Sequence, residues 1–390
     1  MRQSQNPRIE RIFEIVLISF FAAILFAPLV LWASRIGRFP TVHAAENRGA
    51  VPLPSLADGT ALPAKFAAHY SDQFGLRDTL LHWHALIKLR LFGVSPVPGN
   101  VVVGRDGWLY FGGCEPDEFR RLAPLTGAEL DAWTRSLEER RDWLAAHGSR
   151  FLFVVAPNKS TIYPEHYPAA LAPASAASRL DQLLEHLRAH STVEVLDLRP
   201  ALLARKQEER VYDVTDSHWN QRGAEAACEA IAAALHRWFP SVNPIPRSAY
   251  DAAVEHWPVG GDLSRMIALP DEFTEEALLL RPRTPPRAHD AGSAAIPWRR
   301  DADPDWKWPL AFETNTPSLP RAVILRDSFA ARLHPFLSEH FQRSVYLFTD
   351  NFDTRLLESE KPDVVIEEMV ERHLMRRPPP APDVVDLPTM

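Results

Sequence analysis

The chain has 390 residues, 46% hydrophobic and 24% charged, enough to fill one large globular domain or two ordinary ones. Its net charge of −7 and pI near 6.1 exclude the basic footprint of a nucleic-acid binder. The 35 prolines outnumber the 16 glycines, so long, stiff loops are expected. The two cysteines, Cys114 and Cys228, have no metal-ligand spacing. They read as two unpaired core thiols, a single disulfide being the alternative in an oxidising compartment.

In chain order, residues 15–33 (IVLISFFAAILFAPLVLWA) carry no charge and approach the roughly 20 apolar residues that span a bilayer. Arg2, Arg8 and Arg11 precede the run and favour a cytoplasmic start, although Arg35 and Arg38 follow it. The run is longer than the apolar core of a usual signal peptide and ends well before the weak cleavage match at Val42-His43-Ala44. One uncleaved anchor is therefore expected at residues 1–38, with the rest of the chain outside the cytoplasm. Residues 39–64, rich in Pro, Ala and small polar residues, read as a linker. Helical periodicity runs through 65–92, carried by Phe66, Tyr70, Phe74, Leu80, His84 and Ile87. NVVVGRDGWLYF at 100–111 predicts a hairpin with Arg105, Asp106 and Gly107 at its tip.

From about residue 125 helices and apolar strands alternate. Thr126 caps a predicted helix that stops at Gly148, and the strands are RFLFVVA (150–156), TVEVLDL (192–198), RAVIL (321–325), SVYLF (344–348) and 363–366. Helices are predicted at 176–190, after 198 through 206, and at 222–239, 329–341, 353–360 and 367–375. Residues 240–318 break the rhythm with clustered prolines and PWRRDADPDWKWP, and read as an irregular insertion with short strands. The Pro-rich tail at 376–390 is expected to be extended. The alternation implies an α/β fold with a mainly parallel sheet covered on both faces, and ligands beyond the carboxyl ends of its strands.

Two segments carry chemistry. In YDVTDSHWNQR (212–222), Asp216 and His218 are two apart, so an extended backbone would put both on one face. In ILRDSFAARL, Ser328 sits between a strand and a predicted helix, where helix N–H groups could stabilise an oxyanion. His218 is the natural base for Ser328, with Asp216 orienting it. The bland alternatives are an N-cap serine, a surface histidine and a turn aspartate.

These words, with FAAHYSDQFGLRDTLL, LFGVSPVPGNVVVGRDGWLYF, VVAPNKSTIYPEHYP, GGDLSRMIALP and PDVVIEEMVER, make the chain resemble the AlgX/AlgJ-type alginate O-acetyltransferases over about residues 65–375. The resemblance implies an SGNH-hydrolase-like (flavodoxin-like) three-layer sandwich for 65–375, behind one transmembrane helix. It carries the family's catalytic roles onto Asp216, His218 and Ser328. Asn158 and Lys159, after a strand's carboxyl end, would bind sugar oxygens or merely make a turn. Gly260 and Gly261 would admit backbone to the acyl oxygen or form a turn, and Trp219 would stack on a sugar or sit in the core. The implied activity is O-acetylation of an exported polysaccharide through an acetyl-serine, in a single-pass protein of the bacterial inner membrane facing the periplasm. The implied partners are the polysaccharide acceptor, a membrane-bound acyltransferase that supplies acetyl groups, and other exopolysaccharide export proteins. No cofactor is expected: no Gly-rich loop suggests a coenzyme A site, and no His/Asp/Glu cluster has metal-ligand spacing. An esterase with the same triad, a carbohydrate-binding export subunit and a peptidoglycan acceptor are the competing readings.

Overall fold

The computed structural model describes residues 7–35, 42–43, 48–174, 177–292, 296 and 307–383. Much of the first half of the predicted linker, Trp298 and Trp306 of the insertion, and the end of the tail lie outside the described residues. The chain divides into two compact units, Met1–Pro98 with Ser264–Glu272, and Gly99–Leu263 with Phe273–Met390.

In the first unit, α1 (Pro7–Ser34) contains an apolar stretch, Arg11–Ser34, whose most apolar 18 residues have a mean hydropathy of 2.6. Most of its described side chains are exposed, and the stretch is long and apolar enough to cross a membrane. The single helical pattern predicted at 65–92 is in fact two helices, α2 (Leu62–Gln73) and α3 (Arg77–Phe92). The break falls at Gly75. A Cβ there would lie 2.3 Å from Leu31 Cβ, so only glycine permits this corner to close on α1. Gly75 N–H donates to the Pro28 carbonyl (3.2 Å). Trp32 packs edge-on against Phe66 and Tyr70, with ring centroids 5.4 and 5.6 Å away.

The second unit opens with the predicted hairpin, β1 (Val101–Val103) against β2 (Leu109–Phe111). It continues through α4 (Gly127–Ala146), β3 (Arg150–Ala156), α5 (Arg179–His190), β4 (Val195–Asp197), α6 (Arg199–Lys206) and α7 (Gln221–His236). The insertion contributes an antiparallel pair, β5 (Tyr250–Trp257) and β6 (Glu275–Pro282), then β7 (His289–Asp290) and β8 (Leu310–Glu313). The chain closes with β9 (Arg321–Arg326), β10 (Arg343–Phe348), α8 (Thr354–Glu360) and β11 (Val364–Val370). Thr126 caps α4 in a reciprocal box with Glu129, as its sequence predicts.

The central sheet has the order β4-β3-β11-β9-β10-β8-β7. The first five strands are parallel, while β8 and β7, both from the insertion, add an antiparallel edge. Alternate strand residues feed two separate cores. Leu152, Val154, Ile324, Tyr346 and Ile366 pack on one side with Ala227, Ile231 and Leu235 of α7. Phe153, Val155, Val323, Leu325 and Val345 pack on the other with Leu137 of α4 and Leu183 of α5. Burial on both faces explains why these strands read as unbroken apolar runs.

Two helix expectations fail next to the site. Residues 367–370 continue β11 because β3 keeps pairing with them, out to Ala156 opposite Val370. Only a 3₁₀ turn, Glu371–Met375, follows. Residues 329–341 form no single α-helix: a 3₁₀ turn, Phe329–Arg332, precedes a short helix, His334–Leu337, with Pro335 in its first turn, and another 3₁₀ turn.

Candidate active site

Tyr212 and Trp219 pair across an isolated antiparallel bridge, and residues 214–218 form a bent loop between them. Asp216 and His218 therefore do not meet through strand alternation. Asp216 Oδ1 accepts the His218 backbone N–H (2.9 Å) and also faces the ring Nδ1 (2.7 Å). This is an Asx-type turn, in which a short acid bonds the backbone two residues on. It leaves Nε2 pointing to Ser328 Oγ, 2.9 Å away across 110 residues of sequence. Ser328 lies just past β9, and Asp327 fixes its turn by accepting from Phe329 N–H (2.8 Å) and Val370 N–H (2.8 Å).

A wider charge network surrounds the pair. Asp262 accepts from Ser217 N–H (2.7 Å) and Ser217 Oγ (2.6 Å), and its Oδ2 lies 3.7 Å from His218 Nδ1. Arg332 pairs with Asp213, stands 3.6 Å from Asp216 and donates to the Trp219 carbonyl. Burial alone would raise the Asp216 pKa, but the bonds and charge of His218, with Arg332, hold it far below the ordinary carboxylate range. Burial likewise opposes charge on His218, yet Asp216 and Asp262 outweigh it and leave the imidazole pKa above its usual value. Burial and the neighbouring Asp216 charge push Asp262 upward. Asp216, His218 and Asp262 also place one ligand atom each within 4.8 Å of one another, a grouping that sequence spacing concealed. Hydrogen bonds to Ser217, Ser328 and backbone N–H groups already account for that geometry.

Ser328 opens on a cavity of about 600 Å³ beyond the carboxyl ends of β9, β10 and β11. Its lining includes Trp308 of the insertion together with Lys307, Arg326, Arg376 and Arg377. Two of its acids carry little free charge. Glu367 is paired with Arg140, and burial with the nearby Asp327 charge pushes Glu368 well above its ordinary pKa. Burial pushes His373, also in the lining, down to about 4, so it is neutral at pH 7.

The remaining predicted positions serve the scaffold. Lys159 is buried, and its ammonium donates to the carbonyls of Leu109 (2.6 Å), Val214 (2.8 Å) and Asp216 (3.0 Å). It therefore braces the Asp216 loop from behind and cannot meet a sugar. Asn158 is fully buried and donates to Glu118 (3.0 Å). Trp219, also fully buried, gives its indole N–H to the Phe329 carbonyl (3.1 Å) and packs edge-on against that ring. Gly261 N–H is donated to Thr215 Oγ1 (2.8 Å), and a Cβ at Gly261 would lie 2.5 Å from Asp216 Cβ. That glycine admits Asp216, not an acyl oxygen; Gly260 beside it is buried. The expected oxyanion donors at a helix start are also committed, since Phe329 N–H bonds Asp327 and Ala330 N–H bonds Glu368. Sequence reasoning missed Asp262, Arg332 and Glu368. Only the acid in GGDLSRM offered a signal, and it lacked a partner until the fold supplied Ser217 and His218.

The fold and this site define a class, the SGNH hydrolase-like α/β proteins with a serine beyond the sheet's carboxyl edge. The family model for the SGNH hydrolase-like domain of acetyltransferase AlgX matches residues 101–295, half of the chain. The chain belongs to this family of acetyltransferases. A probable alginate O-acetylase AlgJ of Pseudomonas syringae pv. tomato is 29% identical over 339 residues, covering 82% of this chain and 81% of that protein. The counterpart in Pseudomonas putida is 30% identical over 208 residues, 53% of this chain and 51% of its own length. Among solved structures, Bacillus cereus PatB1 shares the fold at a TM-score of 0.52 and 14% identity, over 70% of this chain and 96% of PatB1. The O-acetyltransferase domain of Pseudomonas putida AlgJ aligns with a TM-score of 0.45 and 23% identity, over 71% of this chain and 93% of that domain.

Proposed function

We propose that this protein transfers acetyl groups to an exported, anionic polysaccharide, alginate or a similar exopolymer, through an acetyl-serine at Ser328. The observation that carries the reading is the unbroken chain from Asp216 through His218 to Ser328, at 2.7 and 2.9 Å, ending on the cavity. In the first half-reaction Ser328 Oγ attacks the acetyl carbonyl while His218 Nε2 takes the hydroxyl proton. The imidazolium, stabilised by Asp216, then protonates the departing oxygen of the donor. In the second, His218 deprotonates a sugar hydroxyl, which takes the acetyl group, and the imidazolium returns that proton to the departing Ser328 Oγ. The cationic side chains Lys307, Arg326, Arg376 and Arg377 around the cavity support a negatively charged acceptor.

In this reading α1 is a single-pass anchor in the bacterial inner membrane, with the catalytic body in the periplasm. The acetyl donor is a membrane-bound acyltransferase, and other export proteins bring the polymer. The sheet between its two helical faces is the flavodoxin-like three-layer arrangement.

The test incubates the full chain and its Ser328→Ala variant, in detergent, with a chromogenic acetyl ester and a panel of uronate and neutral oligosaccharides, with products read by mass spectrometry. Acetylated sugar that disappears with Ser328 supports the transferase. Release of free acetate alone across the panel points to an esterase. Activity that survives Ser328→Ala overturns the acetyl-serine.

A further inference from the structure

α3 is apolar on its packed side and carries a second apolar stripe on its outward side. Its packed side carries the buried Ala85 with the half-buried His82, Leu86 and Leu89, and His82 Nδ1 approaches the Ala268 carbonyl (3.4 Å). Its outward side carries Leu80, Trp83, Ile87 and Leu91, which recur every three or four residues over three turns and are 52%, 53%, 45% and 75% exposed. Leu81 and Phe92 extend this apolar face, with the exposed His84 and the half-buried Lys88 lying between them and the stripe. Scattered apolar residues on a surface need no explanation, but a continuous stripe of this size does.

The same unit shows what covers the stripe. The uncharged part of α1, residues 15–34, is about 30 Å long at 1.5 Å per residue, the thickness of a hydrocarbon core. The α2–α3 corner docks on its last two turns, through Gly75 to Pro28 and Leu31, while Trp32 packs against α2. The corner from which α3 departs therefore lies at the level where α1 leaves the membrane. A tryptophan and a lysine beside an aliphatic stripe suit that boundary, the ring resting among headgroups and the ammonium reaching for phosphate.

We propose that α3 is an interfacial helix whose Leu80–Trp83–Ile87–Leu91 stripe beds in the lipid leaflet at the carboxyl-terminal end of α1. The proposal rests on α1 crossing the bilayer, and the test separates the two. The full chain, with Cys114→Ser and Cys228→Ser, receives one cysteine for an environment-sensitive fluorophore: Ile87→Cys in α3, Ile24→Cys in α1 or Asp131→Cys on the exposed face of α4. Each labelled protein is placed in phosphatidylethanolamine/phosphatidylglycerol nanodiscs and quenched by nitroxide-bearing lipid or by aqueous iodide. The expected result is loss of fluorescence to the lipid quencher and protection from iodide at 87 and 24, with the reverse at 131. Iodide access at 87 with lipid quenching at 24 overturns the interfacial helix and leaves the anchor standing. Iodide access at both positions overturns the two together. Protection at 87 without lipid quenching assigns the stripe to protein contact, such as a second copy of the chain, and also overturns the proposal.

Discussion

His218 faces two carboxylates rather than one, and both bear on how readily it gives up its proton, Asp216 more than Asp262. Asp216 holds Nδ1 directly, while Asp262 stands 3.7 Å away and shares Ser217 with the ring. Both acids stabilise the imidazolium, so in the proposed mechanism a base that must be neutral to activate Ser328 works only above its raised pKa. Asp262→Asn keeps an acceptor for Ser217 but removes a negative charge. It should lower the His218 pKa and move the acidic limb of the kcat/KM profile for ester turnover down by roughly one pH unit. A limb that stays put, or rises, would remove Asp262 from the electrostatics of the base. The same pair links to stability. His218, raised above 6.5, contributes stability below that pH and loses it as pH climbs through the folded value. Asp216, depressed below 3.8, contributes above that pH and loses it on acidification.

At the level of elements, the site depends on how the His218 loop joins α7. Asn220 closes the loop with its N–H on the Val211 carbonyl, donates its side-chain amide to Arg210, and caps α7 by accepting from Arg222 and Gly223 N–H. Asn220→Ala should cost about 1 kcal/mol in cap energy alone, lowering the unfolding midpoint by roughly 2–4 °C in a thermal melt. Because the same side chain ties the loop, turnover should fall even well below that midpoint. Full activity in a destabilised variant would confine Asn220 to the helix. α7 and the cap of α4 follow their sequences closely because amphipathic period and capping chemistry are local. β11 does not: VIEEMV reads equally as a helix start, and its pairing with β3 and β9 and the Arg140 partner of Glu367 keep two glutamates inside a sheet.

For the whole molecule, two units imply two levels of stability. The first unit draws part of its packing from α1, since Trp32 is buried against Phe66, His69 and Tyr70. A chain starting at residue 42 should therefore lose amide protection across α2 and α3, while the central sheet of the second unit keeps it in hydrogen exchange. Equal protection of α2 and α3 with and without α1 would show that the contact is dispensable.

The sequence by itself determined the apolar helix, the alternating strands, the parallel sheet and the three residues Asp216, His218 and Ser328, because periodicity, turn chemistry and motif spacing are written in neighbouring residues. It also placed Ser328 beyond a strand's carboxyl end. Tertiary structure decided what each polar side chain faces. Lys159, Asn158 and Trp219 were legible as special residues, yet burial turned them into braces, since only the folded chain shows where water is excluded. Asp262, Arg332 and Trp308 entered the site from segments distant in sequence or irregular in pattern, where no local period marks them. Even the Asp216–His218 pairing was anticipated for the wrong reason: an Asx turn, closed by long-range contacts, sets its geometry where strand alternation had been expected.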